Sequence, residues 1–163
     1  MVRDRLRTLA GYAQIGRTLV ISIDLRVDQA REQLRAADPD YEETIILLEG
    51  DVTDPDLPRQ VERLLPDGAR CLVTEDSAHV FETTIAALRG FARFVPEHGF
   101  FVVEDGSVDH EEMRLRSDWP RGVLPAVREW LSTPEGRKFR LRRDLEIYGI
   151  TSHPEGFLQR TSM

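Results

Sequence analysis

A single cysteine, Cys71, rules out an internal disulfide in this chain of 163 residues. It lies in the run 70–75 (RCLVTE) and reads as a buried small hydrophobe. No apolar stretch approaches the roughly 20 residues of a membrane span. The opening MVRDRLRTLAGYAQ has no apolar signal segment, and its Arg3, Arg5 and Arg7 read as a solvated helix face. A cytoplasmic protein that makes no membrane contact is expected. Positive charge is in deficit: 22 Lys and Arg stand against 29 Asp and Glu, for a net charge of −7. That argues against the basic face a nucleic-acid partner requires. No Cys/His set has the spacing of a zinc site. Internal repeats and low-complexity tracts are absent as well.

What remains is enough for one folded domain over 1–163: hydrophobic residues make up 40% and charged residues 31%. Short β-branched runs alternate with helical patterns, which predicts an α/β fold with a parallel sheet covered by helices. Strands are expected at 18–24, 44–49, 70–75 and 100–104, with helices at 27–37, 57–65, 79–95 and 121–132. In the third helix Phe81, Ile85, Leu88, Ala92 and Val95 recur at helical spacing. Pro96 and Gly99 end it. A polar loop is expected at 106–120, and two further strands at 138–147 and 156–161 around a turn at Ser152-His153-Pro154.

Four successive strands run into acid: Asp24, Asp51, Asp76 and Glu104-Asp105. In an open α/β sheet, ligands bind beyond the carboxyl ends of the strands. Any one such acid can serve as a helix cap or turn residue. Four at equivalent places are harder to explain that way, because Ser or Asn caps a helix without burying charge.

Asp76 and Glu104-Asp105 end two strands that a right-handed crossover makes neighbours. Three carboxylates at one edge repel one another unless some are protonated or a cation joins them. Hard oxygen ligands with room for water and substrate suit Mg²⁺. His79, three residues after Asp76, faces the same crevice. It can either take a proton from a substrate hydroxyl or order the loop. Asp24 is placed to accept hydrogen bonds from ribose hydroxyls of a nucleotide, and Asp51 to reach its adenine side. His98 and His110 read as solvated, His153 as a turn residue, and Trp130 as core. Trp119 is a candidate for substrate stacking.

The segments ISIDLR, LLEGDVTD, TEDSAH, GFFVVEDGSVD and HPEGFLQR resemble the cephalosporin hydroxylase and rhamnosyl O-methyltransferase family over most of residues 17–160. EDSAH together with VVEDG carries most of the specificity. The resemblance implies a Rossmann-like methyltransferase sheet with helices on both faces and S-adenosylmethionine as cofactor. It further implies Asp76, Glu104 and Asp105 as Mg²⁺ ligands, His79 as the base on a sugar hydroxyl, and Asp24 as the ribose-binding acid. Methyltransferases of this class begin with a strand and a glycine-rich loop. This chain has neither and opens, at 2–14, with what reads as the helix after that loop. A sheet missing its first, central strand is therefore expected, with exposed edges that favour a homo-oligomer.

Two functions follow from different classes. One is a Mg²⁺-dependent O-methyltransferase acting on a small molecule, a sugar or glycosylated natural product. The other is a non-catalytic or truncated partner domain that keeps the acids and has lost cofactor binding.

Overall fold

The structure, a computed structural model, describes residues 18–110, 112, 122–146 and 151–162. The expected helix over 2–14, Trp119 and most of the loop 106–120 lie outside these residues. The chain divides into two compact units, one ending at Leu57 and the other beginning at Pro58.

In the first unit, β1 (Val20–Asp24) pairs in parallel with β2 (Ile45–Glu49). Val20 stands opposite Ile45 and Asp24 opposite Glu49. Both strands are rich in Ile, Val and Leu, which suit a pleated, half-buried surface. The helix α1 (Asp28–Ala37) connects them. Asp28 in its first turn and Arg35 in its last both oppose the helix dipole favourably. The helix stops at Asp38, whose backbone is extended ahead of Pro39, as the residue before a proline prefers. Leu34 from α1 packs with Tyr41 and Ile45, and Val20 and Leu47 close that small core.

The second unit follows on from α2 (Leu57–Leu64). It holds β3 (Val73–Glu75), α3 (Phe81–Phe91), β4 (Phe100–Val103), α4 (Val123–Leu131), β5 (Phe139–Leu141) and β6 (Phe157–Arg160). The sheet order is β3-β4-β6-β5. β3 and β4 are parallel, with Val73 opposite Phe101 and Glu75 opposite Val103. β6 runs antiparallel to both of its neighbours, inserted between β4 and β5. Helices α3 and α4 pack together. Leu88, Phe101, Val127 and Leu158 are sealed from solvent. Trp130 is fully buried and packs at 5.1 Å on Phe139.

Several boundaries differ from those expected. β3 begins at Val73 rather than Arg70, since its ladder with β4 opens only at the Val73–Phe101 pair. Leu72 is exposed and Cys71 only half-buried, so the cysteine is not a core residue. Burial still pushes its thiol pKa up. α3 begins two residues late because His79 has a left-handed backbone, and it tightens into a 3₁₀ turn at Ala92–Phe94 before Pro96. Among the described residues no helix is long and apolar enough to cross a membrane.

Candidate metal and active site

Because β3 and β4 are parallel neighbours, the chain leaves both at the same edge of the sheet. Asp76 follows the last residue of β3, and Glu104-Asp105 follows the last residue of β4. One further ladder bond, from the Glu104 N–H to the Glu75 carbonyl at 2.9 Å, carries the pairing to that edge. Beyond it both strands break sharply. His79 and Asp105 adopt left-handed backbone conformations, with φ of 57° and 53°. For residues with a Cβ such a conformation costs on the order of 1–2 kcal/mol, and isolated cases cluster at functional sites.

These turns bring three side chains together. The His79 Nε2 lies 3.4 Å from an Asp105 carboxylate oxygen and 3.7 Å from an Asp76 oxygen. One donor atom from each of Asp76, His79 and Asp105 falls within 4.8 Å of the others. The His79 side chain is 15% exposed and that of Asp105 37%, so the ring is sheltered while the carboxylate is partly open to solvent. Glu104, expected as the third carboxylate of this set, is half-buried and is not one of the three.

Two supports hold these turns, and neither was legible as such in the sequence. The first is Glu75, only 4% exposed. Its carboxylate accepts the Ser77 N–H at 3.0 Å, the Ser77 hydroxyl, and the Thr84 hydroxyl at 3.4 Å. A buried carboxylate must be hydrogen-bonded to persist. Here the bonds tie the Asp76–His79 turn to α3. The only sequence signal is a Glu-x-Ser pair at the end of an apolar strand. The second support is the segment 152–156. The Asp105 N–H donates to His153 Nδ1 at 2.9 Å. The Ser107 N–H donates to the Ser152 carbonyl at 3.1 Å, and the Val103 N–H to the Gly156 carbonyl at 2.8 Å. A Cβ on Gly156 would stand 2.1 Å from the Val103 oxygen, so only glycine permits that approach. Further along, Asp109 accepts the Leu124 N–H at 2.6 Å and caps the start of α4.

The first unit carries Asp24 and Asp51 at the carboxyl edge of its own sheet. Both are exposed. Asp24 accepts the Arg26 N–H at 3.3 Å. Asp51 accepts the Thr53 N–H at 2.8 Å and the Thr53 hydroxyl at 2.7 Å, bonds that hold its carboxyl below the usual range. Each of these bonds closes a local turn. His98 and His110 are exposed, as the sequence suggests.

The donor set of the second unit fits a small divalent cation. One donor atom of each residue lies within 4.8 Å of the others, near enough for a cation with ligand bonds of about 2.1 Å to draw the carboxylates around itself. The set also brings a sheltered imidazole, a group able to carry a proton, beside two carboxylates.

Comparison with known proteins bears on which chemistry this is. The model of a family described as Rhamnosyl O-methyltransferase/CmcI matches residues 7–161. No curated protein matches the chain. Among solved structures, the chain is similar to a MycE methyltransferase from the mycinamycin biosynthetic pathway, in complex with Mg, SAH and mycinamycin VI. The TM-score is 0.50 at 14% identity, covering 98% of this chain and 49% of that one. The chain thus spans about half the length of that methyltransferase. The likeness shows the fold, a Rossmann-like α/β arrangement.

Proposed function

Because the chain belongs to the Rhamnosyl O-methyltransferase/CmcI family, we propose that it serves in the Mg²⁺-dependent transfer of a methyl group from S-adenosylmethionine to a hydroxyl of a sugar or glycosylated natural product. The observation that carries this reading is the convergence of Asp76, His79 and Asp105 from two parallel strand ends. The Mg, SAH and natural product named for the MycE complex support it.

Asp76 and Asp105 would hold the ion, with Glu104 as the third carboxylate of the proposed set. Mg²⁺, when bound, supplies a Lewis acid that lowers the pKa of the acceptor hydroxyl and offsets the repulsion among the carboxylates. Mg²⁺ prefers oxygen ligands to imidazole, which leaves His79 Nε2 to accept the hydroxyl proton as the oxygen takes the methyl group. The cofactor supplies an electrophilic methyl on a sulfonium. Asp24 would accept its ribose hydroxyls, and Asp51 would reach its adenine side.

The decisive experiment is calorimetric titration of the chain with S-adenosylmethionine, with and without Mg²⁺. Binding with Mg²⁺ present, lost in Asp24→Ala, supports the reading. No binding under either condition replaces it with the partner-domain reading, in which the acids persist without the cofactor.

A further inference from the structure

The geometry points to His153 as a positioning residue: by accepting the Asp105 amide hydrogen at Nδ1, it sets the direction in which the Asp105 carboxylate enters the proposed metal site. The inference rests on the metal reading above and adds to it a residue that touches neither metal nor substrate.

Asp105 holds φ 53° and ψ 28°, a conformation its Cβ disfavours. Something must stabilise it, because in an extended backbone the carboxylate would swing away from His79. The chain on either side is held by backbone bonds to one segment. The Val103 N–H donates to Gly156 and the Ser107 N–H to Ser152. Gly106 presses against the same segment: a Cβ there would stand 2.8 Å from the Pro154 oxygen. Asp105 itself is held by a side chain, the imidazole of His153, at 2.9 Å.

That ring is fixed in turn. It meets Phe157 edge-on, with centroids 6.4 Å apart. Its backbone N–H donates to the Thr151 hydroxyl at 3.0 Å. The Ser152 hydroxyl lies against the ring, 3.1 Å from Nε2 and 3.4 Å from Nδ1. An Nδ1 that accepts a hydrogen bond is unprotonated, so the neutral ring carries its hydrogen on Nε2. A residue serving only the turn at 152–154 needs no ring nitrogen aimed at the amide of a proposed ligand. Partners of this kind typically change metal affinity by about 10–100-fold when removed.

The test uses the full chain. In ¹⁵N-labelled protein, His153 Nδ1 is expected to show the shift of an unprotonated nitrogen and a scalar coupling across the hydrogen bond to the Asp105 amide nitrogen. Mn²⁺, followed by electron paramagnetic resonance, serves as the metal probe. His153→Ala is expected to weaken Mn²⁺ binding by about 10–100-fold. His153→Asn, whose side-chain oxygen can accept the same hydrogen, is expected to recover most of that loss. Melting temperatures in EDTA separate positioning from fold loss, since a purely structural role would make affinity follow melting in both variants. If His153→Ala fails to fold, the coupling and the Asn variant decide. A hydrogen on Nδ1 with no coupling overturns the proposal, as does a His153→Ala protein that binds Mn²⁺ as tightly as the wild type. Failure of the metal reading is seen separately, without any His153 variant: the wild type would bind no Mn²⁺, or Asp76→Asn would bind it equally well, and the positioning role would fall with the site.

Discussion

The His79 Nε2 lies 3.4 Å from an Asp105 oxygen, although the two residues leave different strands. Both reach that contact through left-handed backbone. The contact exists only because β3 and β4 are parallel and in register, ending together at Glu75 and Val103. It places an imidazole and a candidate cation ligand together at one sheet edge.

Removing a charge from this set should show in metal affinity first. Asp76→Asn and Asp105→Asn are each expected to weaken Mg²⁺ binding by at least about tenfold, or about 1.4 kcal/mol, in calorimetric titration. Their effects should not add in the double variant, because the two groups share one partner. Unchanged affinity in both would remove the ion from this edge.

His79 divides the cations by their ligand preference. Zn²⁺ accepts imidazole readily, whereas Mg²⁺ prefers oxygen. His79→Ala should leave Mg²⁺ affinity within about threefold and weaken Zn²⁺ binding by more than about tenfold. In a methyl-transfer assay the same change should lower turnover by about 10²–10⁴ with cofactor affinity nearly intact. Equal losses for both metals would make His79 a ligand rather than the base.

Glu155 provides a pH-dependent measure of stability. Arg128 grips its carboxylate at 2.9 and 3.0 Å, and Arg143 approaches at 3.0 Å. The Arg128 hydrogen bonds hold the Glu155 pKa below the ordinary 4.5 despite partial burial. A carboxyl whose folded pKa is depressed stabilises the fold fully above its unfolded pKa and loses that contribution as pH falls through the folded value. Glu155→Gln should therefore cost up to about 1 kcal/mol near neutrality, since the arginines are exposed. Chemical denaturation below pH 4.5 should show the gap between the two proteins closing. A gap that widens on acidification would contradict the assignment.

Gly156 is the position where a single methyl group should do most damage to the supports of the site. A Cβ there would stand 2.1 Å from the Val103 carbonyl oxygen, which itself belongs to β4. Gly156→Ala is expected to destabilise the fold by about 2–3 kcal/mol, read as a lowered denaturation midpoint with unchanged slope. A variant as stable as the wild type would mean that the segment 152–156 does not clamp the end of β4.

The sequence by itself determined the elements and the edge at which chemistry gathers. Apolar runs ending in acid, separated by amphipathic stretches, specify parallel strands with ligands beyond their carboxyl ends, because hydrophobic periodicity and turn residues are local signals. The parallel pairing of β3 with β4, which brings the residues after both strands to one edge, follows from that pattern. The tertiary structure alone decided which acids meet. Glu104 and Asp105 are adjacent in the chain, and the left-handed turn after β4 puts Asp105 in the group with Asp76 and His79. No local preference of His or Asp dictates that turn. It is held by contacts from 152–156, brought in when β6 inserts antiparallel between β4 and β5. Such a pairing joins residues far apart in the chain, so no short window of sequence records it. For the same reason His153 reads in sequence as a turn residue before a proline, and its place against the Asp105 amide is visible only in the folded chain.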